Sequence, residues 1–279
     1  MTGLVLEGGA MRGMYTAGVI DIFVDNNIKV EKVVGVSAGV LFGVNYLSGQ
    51  RERALRYNKK YAGDKRYMGT HSLLTTGNIV NKDFAYYEVP MKLDIFDQTA
   101  YENSGMDFYA TVTNMKTGQA EYIKIDNVFE QMEVLRATSA MPFVSKPVEL
   151  ENGKYLDGGL SDSIPIEKCK ELGCDKIIVV LTRPLEYRKK PTNQLFPKLA
   201  YHKYPELVKT INNRFSNYNS TLEKITYLED KKEIFVIRPS RTIDIKRIER
   251  DENKLQEMYD LGVEDCKNSL EGLQEYLTK

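Results

Sequence analysis

Two short apolar runs in the first fifty residues each end in a glycine-rich turn that opens a helix. No other feature restricts the chain as much. Leu4-Val5-Leu6 runs into Gly8-Gly9-Ala10-Met11-Arg12-Gly13, after which Met14, Ala17, Val19, Ile20 and Phe23 recur along one side of a helical stretch. Val33-Val34 runs into Gly35-Val36-Ser37-Ala38-Gly39 and then Val40-Leu41-Phe42. Strand, helix, strand, helix in succession is the signature of parallel strands joined by crossovers. The expected class is therefore α/β, a mostly parallel sheet sandwiched by helices.

The second turn carries a G-x-S-x-G pentad. At a strand-to-helix junction that pattern holds a serine on a sharp, strained bend, with glycines where strand and helix cross and a helix N-terminus aimed at any charge that develops there. Such a serine suits attack on an acyl carbon. A pentad this short also arises by chance, and the competing reading is a tight turn whose serine caps the next helix. The upstream loop points several backbone N–H groups at one spot, a cradle for a phosphate or for the oxyanion of a tetrahedral intermediate. A dinucleotide fingerprint requires glycine where this chain has Ala10, and an acid at the end of the second strand, where it has Ser37. An oxyanion hole beside Ser37 fits both facts better.

A third element is Asp157-Gly158-Gly159. Val148-Glu149-Leu150, Asn152-Gly153 and Lys154-Tyr155-Leu156 spell a hairpin whose return strand delivers Asp157 at its end. An isolated Asp-Gly-Gly is more often an Asx-turn. Histidine supply bears on the mechanism, because the chain has only His71 and His202. His202 follows Ser37 and Asp157 in the order of an α/β-hydrolase triad, yet that fold places several strands before its serine and this chain places one. His202 also lies in a polar, aromatic stretch with no strand ending before it, and is expected at the surface. Asp157 then remains as the base, which implies a Ser-Asp dyad.

Four ordered blocks give the chain a resemblance to the patatin-like phospholipases. They are Leu4 to Gly13, Gly35 to Gly39, Ala137-Thr138-Ser139-Ala140-Met141-Pro142, and Asp157-Gly158-Gly159 with Pro165 behind it. The resemblance implies a patatin-like sheet with the serine elbow after the second strand. It implies Ser37 as nucleophile, Asp157 as general base, and the backbone around Gly9, Ala10 and Met11 as oxyanion hole, with Arg12 bracing that loop. Gly8, Gly13, Gly35, Gly39, Gly158 and Gly159 would support elbow and loops. Ala10 departs from the family, which usually has a third glycine there; alanine keeps the N–H but disfavours positive φ. The implied activity is hydrolysis of phospholipid or other lipid esters through an acyl-enzyme, with the same aspartate activating water for deacylation. Two alternatives stay open: an acyltransferase, and a non-catalytic or weakly active lipid-binding member of the fold.

Length and charge bound the rest. The 279 residues suffice for one α/β domain over 1–279, with helical cover segments expected at 59–102 and 183–232. A formal net charge of +0 supplies no global field for nucleic acid, and no nucleic-acid partner is expected. No cofactor and no metal site is expected. Oligomeric state is not legible. Three cysteines without metal or redox spacing, Cys169, Cys174 and Cys266, read as small buried hydrophobes and fit a reducing cytoplasm, as does an N-terminus that enters a strand at once. Residues 33–50 carry no charge and mimic a short membrane span, but Asn45, Ser48 and Gln50 favour a buried strand, turn and helix. Residues 183–232 hold 11 Lys/Arg against 5 Asp/Glu. There Leu207, Ile211, Phe215, Tyr218, Leu222, Ile225 and Leu228 mark a long amphipathic helix behind Pro205. This basic, aromatic segment is a candidate for peripheral contact with anionic lipid at the membrane. A second charged helix is expected over 249–277, weakened at Gly262 and Gly272.

Overall fold

The computed structural model describes residues 1–278. Strands β1 (Thr2–Leu6), β2 (Lys32–Val36), β3 (Asp107–Asn114), β4 (Ala120–Lys124), β5 (Val148–Leu150), β6 (Gly153–Asp157), β7 (Lys176–Val180) and β8 (Phe235–Ile237) form one sheet. Its order is β5-β6-β3-β2-β1-β7-β8, with β4 also paired to β3. The β3-β2-β1-β7-β8 part is parallel, and antiparallel pairings join β4 and β6 to β3 and β5 to β6. The mostly parallel, helix-flanked sheet agrees with the expected class. Leu4, Val5, Leu6, Val33, Val34 and Val36 are all fully buried, as strands covered on both faces require.

The helices are α1 (Met14–Asp25), α2 (Ala38–Leu47), α3 (Arg53–Tyr61), α4 (Thr70–Thr76), α5 (Gln98–Glu102), α6 (Met132–Thr138), α7 (Ile166–Glu171), α8 (Leu195–Ala200), α9 (Pro205–Asp230) and α10 (Glu252–Thr278). Residues 33–50 are β2, the Ser37 turn and α2, as expected. Among the described residues no helix is long and apolar enough to cross a membrane. The segment 59–102, expected to hold helical cover, is largely helical. An 11-residue π-helix, Asp83–Leu93, with Pro90 inside it, follows α4 and precedes α5. Its wide turns erase the 3.6-residue periodicity by which a helix is read from sequence. The long helix behind Pro205 is α9, with Leu207, Ile211, Tyr218, Leu222, Ile225 and Leu228 buried and Pro205 in its first turn.

Gly262 is not a weak point of α10. Buried α1 crosses α10 there, and a Cβ added at Gly262 would stand 2.1 Å from the Tyr15 carbonyl oxygen. Gly18 of α1 faces the Tyr259 carbonyl of α10 at a similar 2.2 Å. The glycine pair lets two backbones touch, which sequence reading counts only as lost helix propensity. Gly262→Ala is expected to destabilise the protein by about 1–3 kcal/mol through forced separation of the helices, measured as a lower denaturation midpoint in urea. A midpoint equal to that of the wild type would show that the crossing accommodates the methyl group.

Candidate active site

Ser37 occupies the bend between β2 and α2 with φ 53° and ψ −121°, a strained conformation for any residue but glycine. Its hydroxyl does not cap α2. It donates instead to Asp157 Oδ2 at 2.8 Å, 120 residues away along the chain. Both side chains are buried, with 8% of Ser37 and 7% of Asp157 exposed. The bend is held from behind. Ser37 N–H donates to Thr138 Oγ1 (2.9 Å), and that hydroxyl donates to the Thr111 carbonyl (2.6 Å). Gly39 allows α2 to cross β1, since a Cβ there would lie 2.5 Å from the Leu6 carbonyl oxygen. Gly35 lies against Gly39, Gly8 against Ser37, and Gly13 against Ala38 and Phe42.

The hairpin expected before Asp157 is β5–β6, with Leu150 paired to Gly153, and β6 ends at Asp157. Asp157 N–H donates to the Ala140 carbonyl (2.9 Å), and Thr113 Oγ1 donates to the Asp157 carbonyl (2.8 Å). Gly158 presses on β3, where an added Cβ would fall 2.1 Å from the Thr111 carbonyl oxygen. Gly159 N–H donates to Asp157 Oδ1 at 2.8 Å. The Asx-type contact and the bond to Ser37 thus coexist on the two oxygens of one carboxyl group. Burial raises the Asp157 pKa above its ordinary 3.8, against the pull of Arg214, Ser37 and the Gly159 N–H.

The Gly8–Gly13 loop lies beside this pair. Ala10 has φ 50°, so the residue that replaces a glycine does adopt the left-handed conformation. Among the described residues the Gly9 and Ala10 N–H groups donate to no protein acceptor. Met11 N–H donates to the Arg247 carbonyl at 3.4 Å and Arg12 N–H to the Gly9 carbonyl at 3.2 Å. Free donors are therefore narrower than the sequence implied: Met11 is engaged by a carbonyl from the distant 239–251 segment. Arg12 braces the loop through that backbone bond, not through its side chain. Its Nε is buried without a partner, and its guanidinium lines the cleft.

Ser37 stands on the border of two cavities. One, of about 110 Å³, is apolar and runs beneath Met11 and Phe42 toward Tyr86, Met132 and Phe96. The segment between α3 and α5 forms one wall of it. The other is an open cleft of about 900 Å³ that includes Asp157 and the Gly8–Arg12 loop. Ala10, Ser37, Met141, Arg247 and Ile248 line both.

Sequence reading left Thr138 without a role, although it lies in a block the resemblance used. A threonine hydroxyl bonded across three elements has no local signature. Arg214 was missed too: it donates through Nε to the Gly159 carbonyl, behind the carboxylate. His202 is exposed in the turn after α8 with its ring near the Leu199 carbonyl, as expected. All three cysteines are free and buried.

Residues 4–170 match the family model of patatin-like phospholipase, and residues 204–278 match a domain of unknown function, DUF6363. The uncharacterized protein YjjU of Escherichia coli K12 is 27% identical over 267 residues, covering 93% of this chain and 74% of its own length. Lysophospholipase nte1 of Aspergillus fumigatus is 28% identical over 188 residues, 64% of this chain; the shared part spans 12% of the fungal protein. VipD from Legionella pneumophila, a crystal structure, aligns with a TM-score of 0.41 at 14% identity, over 96% of this chain and 67% of VipD. With the family model spanning well over half of its residues, the chain belongs to the patatin-like phospholipase family.

Proposed function

We propose that this protein is a serine hydrolase of lipid esters that works through a Ser37–Asp157 dyad and an acyl-enzyme. The observation that carries the reading is the buried 2.8 Å bond from Ser37 Oγ to Asp157 at the junction of an apolar cavity and an open cleft lined by several cations. Asp157 takes the hydroxyl proton as Ser37 Oγ attacks the ester carbonyl. The acyl chain lies in the apolar cavity and the alcohol side in the cleft. The carbonyl oxygen, turning negative, is met by the Gly9 and Ala10 N–H groups, which have no protein acceptor to give up. Asp157 returns its proton to the leaving alcohol, then activates water to release the acid. Its raised pKa makes it a better proton acceptor than an ordinary aspartate.

One observation favours a second reading. The left-handed Ala10 stores strain in the loop, and a hole distorted by it would leave a lipid-binding protein with little turnover. A fluorophosphonate probe separates the two, since it reacts only with an activated serine. Stoichiometric labelling that disappears in Ser37→Ala is expected. An unlabelled wild type would remove the hydrolase reading.

We further assign 1–279 to one domain whose segment 183–232 meets the membrane surface. In support, α8 beside the cleft leaves Leu195, Phe196 and Leu199 between 57% and 77% exposed, with Lys190, Lys198 and Lys203 around them. Sedimentation with vesicles is expected to be stronger for anionic than for neutral lipid and to weaken with salt. Equal binding to both lipids at all salt concentrations would contradict this assignment.

A further inference from the structure

The 900 Å³ cleft has an unbalanced wall. Arg12, Arg183, Lys189, Lys190, Arg214 and Arg247 line it, against only two carboxylates, Glu7 and Asp157. Glu7 is already satisfied by neutral donors: Thr182 N–H at 2.6 Å, Thr182 Oγ1 at 3.0 Å and Tyr218 Oη at 2.7 Å. Asp157 is bound to Ser37 and to Gly159 N–H. Among the described residues none of the six cations forms an ion pair. Arg183 stacks over the Tyr187 ring at 4.3 Å, and Lys189 Nζ sits 3.8 Å from the centre of the Tyr218 ring. Two hydrogen bonds between the Lys189 backbone and the Asn219 side chain tie that loop to α9.

Like charges gathered in one cleft without counter-charge, four of them (Arg12, Arg183, Lys189 and Arg214) half-buried, cost the fold stability, so the wall is unexplained by folding alone. The crowding depresses the pKa values of two of them. Burial, followed by repulsion from Arg214, lowers the Lys189 pKa to about 7. Burial, followed by repulsion from Arg183, lowers Arg12 to about 10. An anion would relieve both. Four arginines lining one cleft suit a phosphoryl group, whose oxygens accept paired N–H bonds from a guanidinium.

We infer that the cleft wall formed by Arg12, Arg183, Lys189, Arg214 and Arg247 is a phosphoryl subsite that receives the head-group phosphate of a lipid whose ester carbonyl sits at Ser37. The inference deepens the lipid-ester reading and rests on it. It names the substrate class as lipids with an anionic phosphate head group, and it disfavours head groups that bring a cation of their own. Four of the five residues lie beyond residue 170, outside the part matched as patatin-like, and Arg214 and Arg247 lie in the stretch matched by the domain of unknown function. That C-terminal stretch thereby acquires a role in selecting substrate.

The test compares kcat/KM for lysophosphatidate and for the neutral monoacylglycerol of the same chain, both in neutral detergent micelles. The wild type is expected to favour the phosphate lipid by about tenfold or more. In Lys189→Gln/Arg247→Gln the ratio is expected to fall close to one. A wild-type ratio near one, or a ratio kept by the variant, overturns the subsite while leaving the hydrolase intact. If neither lipid nor a short-chain ester is cleaved, the hydrolase reading itself fails, and thermal melting with added phosphate decides the subsite. An upward shift with glycerol 3-phosphate that the variant loses supports it, and no shift overturns it. A larger shift with inorganic phosphate than with glycerol 3-phosphate assigns the wall to free phosphate and overturns the head-group source. Removing mutually repelling cations should not lower the melting point. If the double variant fails to fold, Arg247→Gln alone, whose side chain is exposed, carries the same ratio test.

Discussion

Ser37→Ala is expected to lower kcat/KM on a short-chain ester by about 10⁴-fold or more while leaving the fold in place. The size of the loss follows from the chemistry. Without Oγ no acyl-enzyme forms, and only binding and the loop N–H groups remain to help water. The Ser37 backbone N–H keeps its bond to Thr138, so the turn survives the substitution. Alanine at φ 53° is no worse placed than serine, and the melting temperature should move little. Hydrolysis retained within tenfold of wild type would remove Ser37 from the mechanism and, with it, the meaning given to the two cavities.

Asp157→Asn should cost a similar factor, about 10⁴, with an effect on stability that depends on pH. Asparagine's one carbonyl oxygen still accepts from Gly159 N–H, and its amide nitrogen, now facing Ser37, donates to Oγ and cannot take a proton. Burial raises the folded-state pKa of Asp157 above 3.8, so the unfolded chain gives up this proton more readily than the folded one. The fold is therefore favoured while Asp157 is protonated, and that advantage is lost as pH climbs from the unfolded toward the folded pKa. A neutral amide escapes the loss, so at pH 7 the variant should melt no lower than wild type, and its advantage should vanish in acid. For wild-type activity the same shift places the acid limb of kcat/KM above pH 3.8. Hydrolysis flat down to pH 4, or an asparagine variant that is active, would exclude Asp157 as the base.

Much of the site was legible because it sits where local signals are strong. Ser37 lies between two glycines at a change from strand to helix, and Asp157 ends a hairpin that Asn152-Gly153 announces. What the sequence lacked was any sign of how these pieces are held. Thr138 ties Ser37 to Thr111, Arg214 of α9 holds the Gly159 carbonyl, and Met11 N–H is taken up by the carbonyl of Arg247, more than two hundred residues away. Within the helical cover expected at 59–102 the bounds of the π-helix had no sequence signal, because a wide helix carries no 3.6-residue rhythm. Arg12 was assigned to the loop, yet its guanidinium turned to the cleft, where neighbours decide its place.

The chain alone determined the parallel α/β order, the strained serine bend and the delivery of an aspartate at a strand end. These depend on apolar runs, glycines and turns within a few residues of each other, where backbone sterics act directly. Tertiary structure alone decided that Ser37 and Asp157 share a hydrogen bond, that two glycines let α1 and α10 touch, and that six cations face one cleft. Those outcomes depend on which surfaces pack together, and packing joins residues whose separation along the chain carries no trace of their distance in space.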